Sequence, residues 1–468
     1  MTDSRSRKWP TILICGLLLT AAPPSWARKW TDNKGKFSVE AELLEVKGDN
    51  VVLKKTNGSV ITVPLARLSE NDRQYLRTLA QVPINEPARP APEVIAAWQN
   101  AEAEPGWILQ RQDLVFVGVP QLLAGQSAYF KGSQRLVEGD LPGFRFWAFP
   151  KGGLNALPPP EVPFGLWFHD DLSSAELKEL AGLKQLRSLC LRRVYGGATE
   201  ITDESLRELA GLTQLQSLDV GRTKITGAGV KELAGLVQLQ SLHLDHTNVT
   251  DSGLKVLAGM TRLRSLKLGN TEITDAGVKE LAGLTELQYL ELSDTQVTDA
   301  GLKVVAGLTQ LQSLNLGRAQ VTDAGIKGLA GLTQLERLDV TGTKMTDAGL
   351  EVISRLTRLR SLSFYGTQVT DAGLKELAGL KQLRTLRLGG PNVTDAGMME
   401  LAALTQLEHL ELGGVKITDA GLKELARLQH LRLLTLHGTK VTDAGVQELQ
   451  NALPGLARGM ICPLQTSP

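Results

Sequence analysis

A column of carboxylates is the feature of this sequence that most resembles a chemical site. Within a repeated unit, a Thr precedes an Asp, and the Asp recurs at intervals of 24 residues over most of the array. These aspartates are Asp203, Asp251, Asp275, Asp299, Asp323, Asp347, Asp371, Asp395, Asp419 and Asp443, and Gly227 takes the place of one. Calcium requires about six to eight converging oxygen ligands, whereas each unit supplies a single Asp. Because Thr followed by Asp is favoured at helix N-termini, we predict helix caps and no metal site.

The histidines and cysteines show no recognised catalytic or metal-binding spacing. The nearest approach is His243-Leu244-Asp245-His246, on a predicted strand and its exit turn, where the two imidazoles need not converge. The sequence has no HExxH, paired CxxC, GxSxG or GxxxxGK[ST] motif, and no GxGxxG before a helix. We therefore expect neither an enzyme nor a bound cofactor.

Composition and charge exclude some partners. The chain's 51 Lys and Arg oppose 50 Asp and Glu, which is too even a balance for a nucleic-acid-binding protein. All 7 Trp lie before residue 168, so the rest of the chain must build its core from aliphatic residues. Two differently built regions therefore share one chain.

Repeats dominate the second region. From Leu212 to Leu428 a unit of the form LTQLQSLDVGRTKIT-x-AGVKELAG begins every 24 residues, and an earlier copy begins at Leu183. The stretch LxxLxL alternates as a strand does, whereas LKELAG places its apolar residues on one face of a short helix. A single unit cannot bury its leucines alone, so stacked units must share a core. The sequence predicts an α/β fold, a right-handed parallel solenoid (horseshoe) with strands on the concave side, over residues 164–462.

These residues resemble the leucine-rich repeat family, LxxLxLxxNxL, in its ribonuclease-inhibitor-like branch. Thr commonly replaces the family's Asn, as at Thr223 and Thr295. Ala319, Pro391 and Val415 depart from the pattern. There we expect the side-chain hydrogen bond to the turn backbone to be missing and the turn to be loosened.

Residues that vary between otherwise similar units mark where binding specificity could lie. They flank the middle strand leucine, and their side chains point away from the core. Their charges alternate in sign, which does not suit nucleic acid, so we expect a protein or peptide ligand. Tyr and Arg are typical hot-spot residues. The candidate binding residues are Tyr289, Glu291, Arg337, Asp339, Tyr365, Arg387 and His409. The alternative is that these are solvated positions that vary freely.

Residues 28–80 are predicted to form a small antiparallel β-barrel. Alternation from Phe37 to Leu43, a strand at Val51–Lys55, an Asn57-Gly58 turn and a returning strand at Val60–Val63 support this fold. Ser69 and Asp72 then cap a helix that carries Tyr75, Leu76 and Leu79.

The segments Arg28-Lys29-Trp30-Thr31-Asp32, Val51-Val52-Leu53-Lys54-Lys55 and Val63-Pro64-Leu65 resemble the Sla-type first homology domain, an SH3-like barrel. In eukaryotic endocytic adaptors that domain binds short peptides containing Asn-Pro-Phe. The resemblance implies the fold and a tendency to bind peptides.

Two less regular stretches separate this barrel from the repeats. Residues 81–92 contain 4 Pro, which predicts a semi-rigid linker. Residues 93–163 contain a predicted helix near Trp98 and strand-like runs at 114–119 and 144–149. We expect a small β-rich element or a cap of the solenoid.

Residues 1–27 have the features of a cleaved signal peptide. Arg5, Arg7 and Lys8 precede an apolar run, and Ser25-Trp26-Ala27 places small residues at the cleavage positions. The run is shorter than the roughly 20 residues that span a bilayer, so we expect no membrane span after cleavage. We expect export to the periplasm, the cell surface or the extracellular space. Cys190 and Cys462 remain, too far apart in the array for an intrachain disulfide.

These patterns predict an exported, non-enzymatic module that binds a protein or peptide partner on the concave face of the solenoid. The alternative is an adaptor that bridges proteins, cytoskeletal or ubiquitin-linked by family resemblance, with an uncleaved N-terminus. The sequence does not indicate the oligomeric state.

Export makes a direct prediction. Protein purified from the exported fraction of its host should begin at Arg28, as measured by N-terminal sequencing and intact mass. A mature chain that begins at Met1 and stays inside the cell would contradict export and favour the alternative.

Overall fold

The computed structural model describes residues 28–32, 38–47, 50–55, 59–74, 88–110, 114–118, 141–192 and 200–456. The chain divides into two compact units, Met1–Arg89 with Gly106–Pro142, and Pro90–Pro105 with Gly143–Pro468. Among the helices in these ranges, none combines the length and apolarity needed to cross a membrane. The signal-peptide prediction lies outside the described residues.

The first unit contains a four-stranded antiparallel sheet. Its strands β1 (Arg28–Thr31), β2 (Ser38–Lys47), β3 (Asn50–Lys55) and β4 (Val60–Pro64) pair in chain order. The predicted strands are therefore confirmed, and β1 is an addition that the alternation pattern did not reveal. Val51 and Leu53 of β3 are fully buried. The predicted Asn57-Gly58 turn and the residues Phe37, Tyr75, Leu76 and Leu79 lie outside the described residues.

Asp72 fastens the end of this sheet. Residues 70–74 are helical, and the Ser69 hydroxyl donates to Asp72 Oδ2 at 2.8 Å while accepting from the Asp72 N–H at 3.2 Å. The Thr31 N–H also donates to Asp72 Oδ2, at 2.8 Å. The predicted cap is thus present, and it also ties the helix to β1.

The second unit contains the repeats. Between the two units' main elements, β5 (Glu104–Gln110) and β6 (Leu114–Gly118) form an antiparallel pair. The solenoid strands then follow in chain order: β7 (Leu141–Phe146), β8 (Phe164–Phe168), β9 (Leu186–Cys190), β10 (Ser217–Asp219), β11 (Ser241–His243), β12 (Ser265–Lys267), β13 (Tyr289–Glu291), β14 (Ser313–Asn315), β15 (Arg337–Asp339), β16 (Ser361–Tyr365), β17 (Thr385–Gly389), β18 (His409–Gly413) and β19 (Leu433–His437).

Each strand pairs in parallel with the next one, which confirms the predicted α/β solenoid. Short helices connect the strands, at Ser174–Leu180, Asp203–Leu209, Gly227–Glu232, Asp251–Leu254, Asp275–Lys279, Asp299–Val305, Asp323–Gly328, Asp347–Ile353, Asp371–Leu374, Asp395–Leu401, Asp419–Glu424 and Asp443–Ala452. The middle strand leucines, such as Leu290, Leu314 and Leu338, are in register and buried. Each buried leucine contributes about 1.5–3 kcal/mol relative to an exposed one.

An aromatic layer lies at the N-terminal end of this leucine core. A helix at Pro92–Asn100 places Trp98 against Phe144, with ring centroids 4.6 Å apart, and against Phe164 at 5.8 Å. The Trp98 indole N–H donates to the Pro158 carbonyl at 2.8 Å. These rings belong to the same continuous hydrophobic core as the repeat leucines.

Neighbouring repeats are joined by a bridge between Asp and Thr. The Thr322 hydroxyl accepts from the Ala324 N–H at 3.2 Å, so Thr322 caps the helix that follows it, as predicted. The same hydroxyl donates to Asp299 Oδ2 of the preceding repeat at 2.6 Å, and the Thr322 N–H donates to Asp299 Oδ1 at 2.8 Å. The sequence analysis assigned these aspartates to capping alone and missed the bond between repeats.

The same pair of bonds recurs along the array. It joins Asp203 to Thr226, Asp251 to Thr274, Asp275 to Thr298, Asp323 to Thr346, Asp347 to Thr370, Asp371 to Thr394, Asp395 to Thr418 and Asp419 to Thr442. At the last of these, hydrogen bonds from Thr442 lower the pKa of the Asp419 carboxyl. The bridge therefore favours ionised aspartate.

The bridge explains the glycine two residues after each Asp. A Cβ at Gly301 would lie 2.5 Å from Asp275 Oδ1 and 2.9 Å from Val297 Cγ1. Only glycine leaves room for the carboxylate of the preceding repeat. Where Gly227 replaces Asp, Thr250 instead shares a hydrogen bond with Ser252, with the two hydroxyl oxygens 3.1 Å apart.

A second Thr position stabilises the turn within each repeat. The Thr295 hydroxyl donates to the Leu292 carbonyl at 2.6 Å, and Thr223 and Thr343 bond in the same way. At Ala319 this bond is absent, as expected. The Ala319 N–H still donates to the Leu316 carbonyl at 3.0 Å and its side chain is buried, so the expected loosening is not seen there.

Removing one bridge should destabilise the solenoid. Asp299→Ala leaves the Thr322 N–H and hydroxyl without their acceptors, and we expect the free energy of unfolding to fall by about 1–3 kcal/mol. Urea denaturation followed by circular dichroism measures this change. The exposed Lys303→Ala, on the same helix, is the matched control and should change it by less than about 0.5 kcal/mol. Equal stabilities for the two variants would contradict a load on the bridge.

Candidate protein-binding surface

The predicted concave face is the face of the sheet that turns away from the leucine core. In β13, Leu290 points into the core, whereas Tyr289 and Glu291 point outward. The strand register aligns these outward positions into two rows. The first row is Ser188, Ser217, Ser241, Ser265, Tyr289, Ser313, Arg337, Ser361, Thr385, His409 and Leu433. The second row is Cys190, Asp219, His243, Lys267, Glu291, Asn315, Asp339, Ser363, Arg387, Glu411 and Thr435.

The candidate binding residues share this face without converging on one point. Tyr289, Arg337 and His409 lie in the first row. Glu291, Asp339 and Arg387 lie in the second row, and Tyr365 lies two residues beyond it on β16. From β13 to β18 the strands advance by about 24 Å at roughly 4.8 Å per strand. The residues therefore describe an extended surface, which suits a macromolecular partner better than a small molecule.

Burial divides the concave face into two halves. On β10 to β12, which we call the closed half, Ser217, Asp219, His243, Ser265 and Lys267 are all buried. On β15 to β18, which we call the open half, Arg337, Arg387 and His409 are exposed. Tyr289, Glu291 and Asp339 are intermediate. The sequence analysis did not predict this division.

Tyr365 is held by two glycines of the open half. A Cβ at Gly389 would lie within van der Waals distance of the Tyr365 ring edge, and so would one at Gly413, closer than real atoms approach. The ring therefore lies across the backbone of β17 and β18. It nevertheless remains 41% exposed. Tyr365 is thus both accessible and fixed in orientation.

Ion pairs between neighbouring strands orient the charges around Tyr365. Arg387 Nε lies 3.3 Å from Glu411 Oε2, and Arg384 donates to Glu408 at 3.0 Å. Exposed pairs of this kind contribute about 0–1 kcal/mol to stability, so their effect is mainly to fix geometry. Beside them, a depression of about 180 Å³ is lined by Arg360, Lys381, Gln382, Arg384 and Gln406.

At the other end of the candidate set, Tyr289 contacts its neighbours closely. Its hydroxyl donates to Glu291 Oε2 at 3.3 Å, and Lys267 Nζ lies 5.7 Å from its ring centroid. These contacts occupy Tyr289 within the sheet face. It is therefore a weaker anchor candidate than Tyr365.

The closed half contains a hydrogen-bonded network. His243 Nδ1 lies 3.2 Å from Asp219 Oδ2, and His243 Nε2 lies 3.2 Å from the Ser241 hydroxyl. Burial opposes ionisation of Asp219, but the contacts with His243, Arg192 and the Gly221 N–H together lower the pKa of its carboxyl. Asp219 is therefore held as a carboxylate against His243.

This network was missed by a search for short motifs because its members come from different repeats. Asp219 and His243 are 24 residues apart, which is one repeat period. Residues at this spacing are strand neighbours. Reading the second row by repeat period would have placed them together.

Neither a metal site nor an accessible thiol occurs in the described part of the chain. No cluster of three or more His, Cys, Asp or Glu side chains there is suited to a metal ion. Cys190 is buried, and burial, with the charge of Asp219, raises the pKa of its thiol well above the usual value. Cys462 lies outside the described residues.

A further candidate surface lies on the N-terminal sheet. A groove of about 300 Å³ has apolar walls formed by Val39, Leu53, Ile61, Val63 and Leu68. Asp32 and Arg67 add charges of opposite sign to its lining. Such a groove can accept an apolar side chain of a short peptide.

Family comparisons agree with both regions. A model of the leucine-rich repeat region matches residues 166–396, a second leucine-rich repeat model matches 403–426, and a model of SLA1 homology domain 1 matches 20–83. The two repeat matches together cover more than half of the chain. This chain is a leucine-rich repeat protein with an N-terminal SLA1 homology domain 1.

Relatives of the N-terminal domain are fungal proteins. The chain is 46% identical over 52 residues to the actin cytoskeleton-regulatory complex protein sla1 of Schizosaccharomyces pombe, a match covering 11% of this chain and 4% of that protein. It is 36% identical over 63 residues to the protein of the same name from Sclerotinia sclerotiorum, covering 14% and 6%. The likeness is therefore confined to one domain of much longer proteins.

Solved structures resemble the repeats. An internalin from Listeria monocytogenes is 24% identical, with 61% of this chain and 88% of that chain covered and a TM-score of 0.44. A leucine-rich repeat protein of Leptospira interrogans is 20% identical, with 63% and 88% covered and a TM-score of 0.36.

The environment of Cys190 makes a testable prediction. In the folded protein at pH 8, iodoacetamide should leave Cys190 unmodified, because the buried thiol is neither accessible nor ionised. Peptide mapping by mass spectrometry should show complete alkylation in urea. Alkylation of Cys190 at the same rate with and without urea would contradict its burial.

Proposed function

We propose that this chain is an adaptor that recognises a protein or peptide partner with the open half of its concave face. The two families in which it has its domains are typically non-catalytic protein-binding modules. The observation that carries the proposal is Tyr365, exposed yet fixed across Gly389 and Gly413. An aromatic side chain that is already ordered loses little conformational entropy when a partner covers it.

Charged neighbours support the choice of the open half. Arg337, Arg387 and His409 are exposed on the strands around Tyr365. Interfaces commonly place Tyr and Arg at the positions that contribute most to affinity. The buried side chains of the closed half, by contrast, offer little area to a partner.

The apolar groove of the N-terminal sheet supports a second binding surface. Its walls of Val39, Ile61 and Val63 suit an apolar peptide side chain. With one surface on each domain, the chain would bridge two proteins. In this reading the fungal relatives' role in an actin cytoskeleton-regulatory complex is a property of those proteins, and the bridging role is our proposal for this one.

Export is part of the proposal and rests on the residue pattern of positions 1–27. An exported adaptor would meet its partner in the periplasm, on the cell surface or outside the cell. An uncleaved N-terminus would instead place the same adaptor inside the cell.

Affinity capture tests the proposed surface. The tagged chain, expressed in its own host, should retain a partner that the double variant Tyr365→Ala/Arg387→Ala releases. Loss of two hot-spot residues should weaken binding by about 30-fold or more, measured by titration of the purified partner. The double variant Lys303→Ala/Lys327→Ala changes exposed residues of the helices and serves as the matched control.

The outcomes separate the two surfaces. Binding lost in the Tyr365/Arg387 variant and kept in the helix control supports recognition by the open half. Binding unchanged in that variant but lost in Ile61→Lys contradicts it and places the partner on the N-terminal groove.

A further inference from the structure

Three side chains of the closed half lie in the order of a nucleophile, a base and an acid that orients the base. The Ser241 hydroxyl lies 3.2 Å from His243 Nε2, and His243 Nδ1 lies 3.2 Å from Asp219 Oδ2. A serine, an imidazole and a carboxylate linked in this sequence are recognised as a catalytic unit by geometry, whatever their order in the chain. Here the order is Asp219, Ser241, His243.

The burial of the three residues matches their roles. His243 and Asp219 are 1% and 4% exposed, whereas Ser241 is intermediate and therefore reachable. Asp219 is fixed from its other side, because the Gly221 N–H donates to Asp219 Oδ1 at 3.0 Å. With Asp219 accepting from Nδ1–H, His243 presents an unprotonated Nε2 to the Ser241 hydroxyl.

Ser241 differs from the serines beside it. In the strand register Ser217 and Ser265 lie on either side of it. Both hydroxyls are buried, and within the described residues neither has a hydrogen-bond partner. The neighbouring strands carry Asp219 and Lys267 where β11 carries His243, so Ser241 is the serine of this group that is bonded to an imidazole.

Unpartnered buried hydroxyls are costly unless something accepts their hydrogen bonds. Ser217 and Ser265, one strand away on each side of Ser241, are placed to donate to negative charge that develops next to its oxygen. Donors of this kind lower the energy of an oxyanion in a site shielded from water. The closed half therefore combines a nucleophile, a base and candidate oxyanion donors.

We propose that Ser241 is an activated nucleophile that accepts an acyl group from a carboxylic ester. Ser241 Oγ forms a bond to the ester carbonyl carbon while its proton passes to His243 Nε2. The carbonyl oxygen, negatively charged in the tetrahedral intermediate, faces the hydroxyls of Ser217 and Ser265. When the carbon–alkoxide bond breaks, the leaving alkoxide takes the proton from His243 and departs as the alcohol. Water then attacks the acyl-serine with His243 as base, which releases the acid and restores Ser241.

This activity goes beyond the proposed binding function and occupies a different part of the molecule. The Tyr365→Ala/Arg387→Ala variant should leave it intact, and a Ser241→Ala variant should leave partner capture intact. Failure of either proposal is thus distinguishable from failure of the other.

A fluorophosphonate probe tests the nucleophile directly in the full chain. Ser241 Oγ should form a bond to phosphorus, fluoride should leave, and the serine proton should be taken up by His243. Mass spectrometry of the digested protein should locate the probe on Ser241. Ser241→Ala should abolish the label, and Asp219→Asn, which keeps the side-chain shape, should slow labelling by about 100-fold or more.

Ser313→Ala is the matched control, because Ser313 lies in the same row of the concave face with Asn315 in the place of His243. It should label at the rate of the unchanged chain. Far-UV circular dichroism and thermal unfolding establish that each variant is folded. Since Ser241→Ala removes only a hydroxyl, its fold should be intact.

Three results would overturn the proposal. They are no label on Ser241 beyond that of the heat-denatured chain, a label on another serine in its place, and an Asp219→Asn variant that labels as fast as the unchanged chain. Labelling of Ser241 with both variants impaired would support an activated serine.

Discussion

The hydrogen-bonded bridge between the Asp of one repeat and the Thr of the next is the interaction on which the solenoid's register depends. In the pair Asp299 and Thr322, both carboxylate oxygens accept bonds across the repeat boundary, and the Thr hydroxyl also caps the next helix. Glycine two residues further on leaves room for the carboxylate, as Gly325 does here. A four-residue motif thus sets a helix start, a repeat contact and a close approach at once. Any change in spacing would break all three.

Because the register is constant, variation in sequence becomes variation along a surface. Tyr289, Ser313 and Arg337 are neighbours across strands, although they are far apart in the chain. The leucines between the outward positions keep the core uniform, so the outward residues can change without altering the fold. This separation of core from surface allows one face to hold a buried polar network in one half and exposed anchors in the other.

The sequence predicted the solenoid well because its period and its alternation are both local patterns. The strand–turn–helix unit, the Thr caps and the N-terminal strands all follow from spacings of a few residues. What it missed depends on contacts between repeats. The role of Asp299 as a bridge, the burial of Asp219 and His243, and the seat of Tyr365 on Gly389 and Gly413 arise from neighbouring strands and helices. Among the candidate residues, the sequence could not distinguish Tyr365, fixed and exposed, from Tyr289, which is engaged with Glu291.

Hydrogen–deuterium exchange of the chain with and without its captured partner tests the central claim most directly, because it locates the contact without any substitution. Recognition by the open half predicts slower exchange in the peptides that contain Arg337–Asp339, Ser361–Tyr365, Thr385–Gly389 and His409–Gly413, with little change in Ser217–Asp219 and Ser241–His243. Protection confined to residues 28–74, with the repeat strands unchanged, would contradict it.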